Sequence, residues 1–141
     1  MILPRKGLLA IAAVIDIALH GRGRPVSAKA LATRHALPAR HLEPVLQALV
    51  RDGILKGVRG PRGGYELGRE RRRISADDIL RAAGTIEQQD GASSADSAVL
   101  SDVVVPAMEH AQRAFSAALG RITIEELVRK AEPLKSAAGV P

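Results

Sequence analysis

The sequence has no cysteine and no tryptophan, and a single phenylalanine and a single tyrosine make up its aromatic content. Without thiols it has no disulfides and no thiolate-held metal or cluster, and its redox compartment cannot be read from cysteine usage. So few aromatics mean a core packed from Leu, Ile, Val and Ala, with almost nothing on which single-stranded bases could stack. Long apolar runs are missing too. The most apolar stretch, Gly7 to Leu19, is shorter than a membrane span, contains Asp16, and has no small-residue cleavage site after it. These absences lead us to expect a soluble, cytoplasmic protein with no membrane partner.

Enzyme signatures are also lacking. His20, His35, His41 and His110 share no metal-ligand spacing on one helix face, and no pair of carboxylates stands beside them. The glycines near residue 60 are followed by neither a Lys-Ser/Thr pair nor a helix start, and no serine sits in a nucleophile elbow. The expectation is no catalytic residues and no metal.

What is present fits a single domain: 141 residues, 46% of them apolar. The net charge of +6 is unevenly spread. Met1 to Ile74 holds 15 Lys/Arg against 5 Asp/Glu, and Ser75 to Pro141 holds 6 against 10. The first part, at +10, is the electrostatic footprint of a polyanion partner.

Local signals in Val26 to Leu67 read as helix, turn, helix, hairpin. Ser27 is a good N-cap for a first helix that stops near His35 and Ala36. Pro38 suits the first turn of a second helix, in which Leu42, Val45, Leu46 and Leu49 recur at i, i+3, i+4 and i+7. The opposite face carries Arg40, Pro44, Gln47 and Arg51, and Asp52-Gly53 ends the helix. Two β-capable runs follow, Ile54 to Val58 and Gly64 to Leu67, around a tip of Arg59, Gly60, Pro61, Arg62 and Gly63. Arginines on such a loop have little to pack against, but they can enter a narrow minor groove.

The wing (RGPRGGY, Arg59 to Tyr65), the Leu42-Glu43 pair, ISADDI from Ile74 to Ile79, and ITIEEL from Ile122 to Leu127 resemble, in this order, the Rrf-two type winged-helix transcription regulators of bacteria. That family includes the iron-sulfur cluster regulator and the nitric-oxide-sensitive repressor, and the resemblance spans roughly Met1 to Arg129. It implies a mainly α fold with a small β-hairpin wing: a winged helix-turn-helix in residues 1–84, an effector-type loop at 85–98, a dimerisation helix and short terminal helix at 99–133, and a frayed tail at 134–141.

Several elements read directly from the residues. Gly7 to about His20 is a helix apolar nearly all round, suited to the middle of a small core. Arg5 and Lys6 precede it; in this family the corresponding basic residues lie close to the DNA backbone. Arg69, Arg71, Arg72 and Arg73 form a basic run, which is either a solvated linker or a phosphate contact. Ser75 and Asp78 fit a capping-box start for a helix through Ala83, and Thr123 with Glu126 fit another, for a helix Ile124 to Ala131 that Pro133 stops. Val104, Met108, Ala111, Phe115 and Leu119 form a heptad-like stripe, with Pro106 in the first turn of its helix or kinking it. The family resemblance makes this stripe the homodimer interface.

The expected set of DNA contacts is Lys6, Ser27, Pro38, Ala39, Arg40, His41, Glu43, Gln47 and the wing residues Arg59, Gly60, Pro61, Arg62, Gly63, Gly64 and Tyr65. Arg40 suits guanine O6 and N7, and Glu43 can accept from a cytosine amino group. In the cluster-binding relatives a glutamate at the place of Glu43 helps choose between operator types. Pro38, Ala39 and Pro44 depart from the serines, aromatics and glutamine often seen there, so a different operator is expected. The reading is a homodimeric regulator, a repressor, of double-stranded DNA. A protein-docking winged helix, a structured-RNA binder, and a metal- or small-molecule-sensing regulator are the alternatives.

In the cluster-binding relatives, closely spaced cysteines occupy the stretch that here reads EQQDGASSADS, Glu87 to Ser97. Ser93, Ser94 and Ser97 are poor substitutes for thiolates. Asp90, Asp96, Asp102 and His110 are harder donors, better suited to a divalent metal. Protein purified without oxygen and supplied with iron and sulfide is therefore predicted to carry no iron-sulfur cluster and to bind DNA equally before and after oxidation. Visible cluster absorbance with stoichiometric iron would contradict this. Bound zinc, manganese or nickel alone would redirect the reading to a metal sensor.

Overall fold

A computed structural model describes residues 3–85 and 97–137. Most of the expected effector-type loop, including Ser93, Ser94, Asp90 and Asp96, and the last four residues of the expected tail lie outside them. In chain order the elements are helices α1 (Arg5–Gly21), α2 (Ala28–Arg34) and α3 (Ala39–Arg51), strands β1 (Leu55–Val58) and β2 (Gly64–Leu67), a 3-10 turn (Arg71–Arg73), and α4 (Ala76–Ala82). A π-helical turn (Leu100–Val104) then runs into α5 (Val105–Gly120), followed by α6 (Ile124–Ala137). The mainly helical architecture with one antiparallel hairpin is the one expected.

The core forms around α1. Apolar nearly all round beyond its first turn, it packs against α3, α4, α6 and β2, burying Ala10, Ala13, Val14, Ile17 and Ala18. Leu31, Leu42, Val45, Leu46, Leu49, Ile54 and Leu55 close the same cluster from the helix-turn-helix side, and Ile124 and Val128 close it from α6. The fully buried large side chains are all aliphatic.

Asp16 is the polar exception in α1, and its side chain is only 5% exposed. Arg34 at the end of α2 donates to both carboxylate oxygens, from Nε at 2.8 Å and Nη2 at 2.7 Å. Nε2 of His35 lies 3.0 Å from Oδ2, and Nδ1 of His20 lies 3.2 Å from Oδ1. Nδ1 of His20 has its hydrogen bond with the Asp16 backbone carbonyl at 3.1 Å, so it is His35 that turns an N–H to the ionised carboxylate, which can only accept. Burial pushes the Asp16 pKa up. The hydrogen bond and charge of Arg34, with smaller contributions from His20 and His35, outweigh this and hold it below the usual carboxylate value.

Further on, Ser75 Oγ accepts from Asp78 N–H at 3.1 Å, and Asp78 accepts from Ser75 N–H at 3.0 Å, the full capping box expected for α4. Thr123 supplies only the N-cap half of the second expected box, accepting from Glu126 N–H at 3.2 Å. The two helix starts are joined by backbone bonds from Ala76 N–H to Ile122 O and from Ile124 N–H to Ile74 O, each 2.8 Å. The terminal helix thereby belongs to the winged-domain core. It also continues through Pro133 to Ala137, where a stop and a fraying tail were expected. Proline's φ is itself helical. The bond it forfeits would go to the carbonyl of Arg129, an exposed residue where water can take over.

Pro106 lies in the first turn of α5, and the preceding turn is widened: Val105 N–H donates to Leu100 O, five residues back. This relieves the clash a proline ring makes with the carbonyl four residues earlier. The expected stripe on this helix divides. Leu119 is buried and Phe115 half-buried against Ala76 and Leu80 in the chain's own second core cluster, whereas Val104, Met108 and Ala111 stay exposed.

Replacing Asp16 by Ala should destabilise the fold by ~1–3 kcal/mol in urea unfolding, because Arg34 loses two charge-assisted hydrogen bonds but can still reach water. Since the folded pKa of Asp16 lies below the unfolded one, its contribution is complete at neutral pH. It is lost as the pH falls below about 4 and through the folded value. The Asp16→Asn variant should lack that part of the acid sensitivity.

Candidate nucleic-acid interface

Two consecutive short helices and a hairpin need a fixed mutual geometry before they can present one surface. After α2, Ala36 takes a positive φ of 52° and turns the chain toward Leu37 and Pro38. Pro38 stands at the N-cap of α3, one position earlier than expected, since its ψ of 134° is extended. From there Leu42, Val45, Leu46 and Leu49 turn inward, and Arg40, His41, Glu43, Pro44, Gln47 and Arg51 turn to solvent. Ala39 is half-buried.

The wing pairs Leu55 with Leu67, Lys56 with Glu66, Gly57 with Tyr65, and Val58 with Gly64. Its tip is a turn closed by Gly63 N–H donating to Gly60 O at 2.9 Å. Gly60 has a φ of 114°, which disfavours any side chain. Arg59, Pro61 and Arg62 are exposed, and neither arginine has an ion pair or side-chain hydrogen bond among the described residues.

A short bridge, which sequence reasoning missed, places this wing. Val26 N–H donates to Tyr65 O at 2.9 Å, and Tyr65 N–H donates to Val26 O at 2.8 Å. The segment leading into α2 therefore lies as a third strand-like edge against β2. Glycine is needed here: a Cβ on Gly64 would come within 2.4 Å of Val26 O. One residue beyond Val26, Ser27 caps α2 by accepting from Ala30 N–H at 3.0 Å. On the other side, Gln47 Nε2 donates to the Tyr65 hydroxyl at 3.3 Å. Tyr65 thus touches the entry to the helix-turn-helix with its backbone and the exposed face of α3 with its side chain. Gln47, Arg59, Gly64 and Tyr65 border one cleft of about 360 Å³ between α3 and the wing.

Other expected residues are less convergent. Lys6 is exposed in the first turn of α1, beside the end of α4, where Gly7 packs against Leu80 and Thr85. The basic run after the wing is largely engaged within the protein. Arg69 donates to Asp52 O at 3.0 Å, Arg71 to Ala18 O at 3.4 Å, and Arg72 to Glu70 at 2.8 Å.

A helix-turn-helix followed by a two-stranded wing with a basic tip defines a winged-helix transcription regulator, a class that is not enzymatic. The chain belongs to the Rrf2 family, described as iron-dependent transcriptional regulators, which it matches over residues 3–130. It is 43% identical over 82 residues to an HTH-type transcriptional regulator of Haemophilus influenzae, a match covering 58% of this chain and 55% of that protein. It is 31% identical over 140 residues to the HTH-type transcriptional regulator IscR of Xenorhabdus nematophila, covering 95% of this chain and 83% of that one. Among solved structures it is similar to T. potens IscR, with a TM-score of 0.73, 30% identity, and coverage of 94% of this chain and 90% of that one. It is also similar to CymR, the global cysteine regulator of B. subtilis, with a TM-score of 0.71, 25% identity, and coverage of 91% and 96%.

The family's iron raises the question of donors. A thiolate-held cluster does not fit a chain without cysteine. Among the described residues no group of three His, Asp or Glu side chains is arranged to hold a metal. Asp16, which His20 and His35 approach, has both oxygens occupied by Arg34.

Arg59→Ala and Arg62→Ala are each predicted to weaken binding to a selected operator duplex, by ~1–3 kcal/mol if the arginine reads the groove. Circular dichroism should be unchanged, since neither side chain has a partner to lose among the described residues. Parent-like affinity in both variants would remove the wing from the interface.

Proposed function

We propose that the protein is a homodimeric repressor that binds a palindromic operator in duplex DNA. Each α3 enters a major groove, and the two grooves lie one helical turn apart; each wing reaches a flanking minor groove. The observation that carries this reading is the shared cleft of α3 and the wing, in which Tyr65 joins Gln47 to a tip bearing two arginines that have no side-chain partner among the described residues. Arg40 and Glu43, exposed on the same helix, supply base contacts. Ser27, Pro38, Ala39 and His41, with Lys6 further away, supply backbone contacts.

Homodimerisation is supported by the side chains that α5 and the turn before it leave uncovered: Val99, Leu100, Val103, Val104 and Met108, with Val103 and Met108 each 61% exposed. This moves the weight of the proposed interface toward the start of the helix, since Phe115 and Leu119 are engaged at home. Regulation in this reading runs without a cysteine-ligated cluster.

Val103→Glu combined with Met108→Glu is the corresponding test, because both side chains are exposed in the single chain and the substitutions should leave the monomer folded. Sedimentation should show monomers. Operator affinity should drop by roughly 100-fold or more, as the second half-site is no longer bound by the same particle. An intact dimer would place the interface elsewhere. A parent protein that shows no salt-dependent binding to any duplex, or prefers structured RNA, would favour the protein-docking or RNA alternative.

A further inference from the structure

A second basic cleft, of about 370 Å³, opens between the wing tip and the start of α2, lined by His20, Arg24, Ser27, Arg34, Pro61 and Arg62 among others. No carboxylate lines it. Asp16 lies behind, with both oxygens taken by Arg34. Arg24 and Arg62 come from different elements, and neither has an ion pair or side-chain hydrogen bond among the described residues. Their backbones are held in place. Arg24 N–H donates to Gly21 O, the Val26–Tyr65 bridge follows two residues later, and the turn from Gly60 to Gly63 fixes Arg62.

We infer that this cleft is a phosphate site for the operator backbone, with Arg24 as a contacting residue alongside Arg62. The inference rests on the DNA-binding reading above and adds a ligand to it. Two guanidiniums that line one cleft free of carboxylates offer several N–H donors to a single tetrahedral anion, and each can engage two oxygens in parallel. A phosphodiester fits because it carries one negative charge on two free oxygens and recurs along the duplex regardless of sequence. A wing entering a minor groove brings the adjoining backbone toward this side of the tip. The contact therefore positions the protein and does not read bases.

The test compares the parent with Arg24→Ala, Arg24→Lys and Arg22→Ala, measuring affinity against salt for the selected operator and for an unrelated duplex. Arg22 is an exposed neighbour in the same loop, paired with Glu132 at 3.5 Å and absent from this cleft, so it controls for loss of charge alone. Arg24→Ala should flatten the log-log salt dependence by about 0.9 per half-site, equivalent to about eightfold weaker binding per half-site at 0.1 M salt relative to 1 M. The loss should be equal on both duplexes, Arg24→Lys should retain most of the affinity, and Arg22→Ala should flatten the slope much less. An unchanged slope for Arg24→Ala, a loss confined to the operator, or an equal effect of Arg22→Ala would overturn the assignment. A rise in melting temperature with inorganic phosphate over chloride at equal ionic strength, abolished by Arg24→Ala, would also overturn it in favour of a free small anion. If Arg24→Ala is neutral while Arg59→Ala still weakens binding, only this inference fails. If the parent binds no duplex, the underlying reading fails.

Discussion

The arrangement of this molecule depends on α1, a helix apolar nearly all round beyond its first turn, which carries one carboxylate into the middle of the fold. Enclosing it requires α3, α4, α6 and the wing strand to be present together, so the helix-turn-helix cannot be packed without the C-terminal helix. Asp16 then decides where α2 ends. Desolvating a carboxylate costs several kcal/mol, and the attraction of Arg34 with two imidazoles roughly offsets this. An apolar pair of the same volume would stabilise the core as well or better. The ion pair adds direction: Arg34 reaches both oxygens only from one side, and the positive-φ turn at Ala36 launches α3 from that fixed point. The exposed face of α3 is thus aimed by a contact at the end of α2.

The wing has a comparable anchor. An isolated two-stranded hairpin is marginal in water. Here Leu55 is buried in the core, and Val26 extends the ladder from the other edge. The same chain segment that pairs with Tyr65 also caps α2 through Ser27, so entry to the helix-turn-helix and position of the wing are set by two consecutive residues, Val26 and Ser27. A displacement of the wing cannot then leave α2 undisturbed.

Features that depend on local pattern were legible in the sequence: the four-residue stripe of α3, the Ser75–Asp78 box, the strand from Gly64 to Leu67, and the family signatures in their order. Features that depend on distant partners were not. The sequence separation of 18 between Asp16 and Arg34 hides their meeting, because it exists only after the chain has reversed at Gly21 to Pro25. Heptad spacing on α5 says which residues share a face. It does not say that one end of that face would be covered by Ala76 and Leu80 of the same chain. Pro133 was read as a stop by a rule that prices the lost hydrogen bond, although an exposed carbonyl loses little. For the candidate interface, exposure on α3 and at the tip followed from periodicity and loop composition, whereas Arg24, a single arginine among glycines and a proline, carried no signal at all.

Arginine shows best what sequence alone leaves undetermined. The densest basic run, Arg69 to Arg73, has the composition of a polyanion site, yet Arg69, Arg71 and Arg72 donate to acceptors within the fold. The isolated arginines Arg24, Arg40, Arg51, Arg59 and Arg62 have no such partner among the described residues. Binding DNA would cost Arg69, Arg71 and Arg72 an existing contact, and Arg72, paired with the Glu70 carboxylate, also brings little net charge to a phosphate. An unpartnered guanidinium displaces a condensed counterion from the duplex and loses only water. Affinity should therefore follow the scattered arginines and not the run. The positive charge of the first half of the chain divides accordingly, into a structural part that holds the wing and the 3-10 turn to the core and a part left free around α3 and the tip.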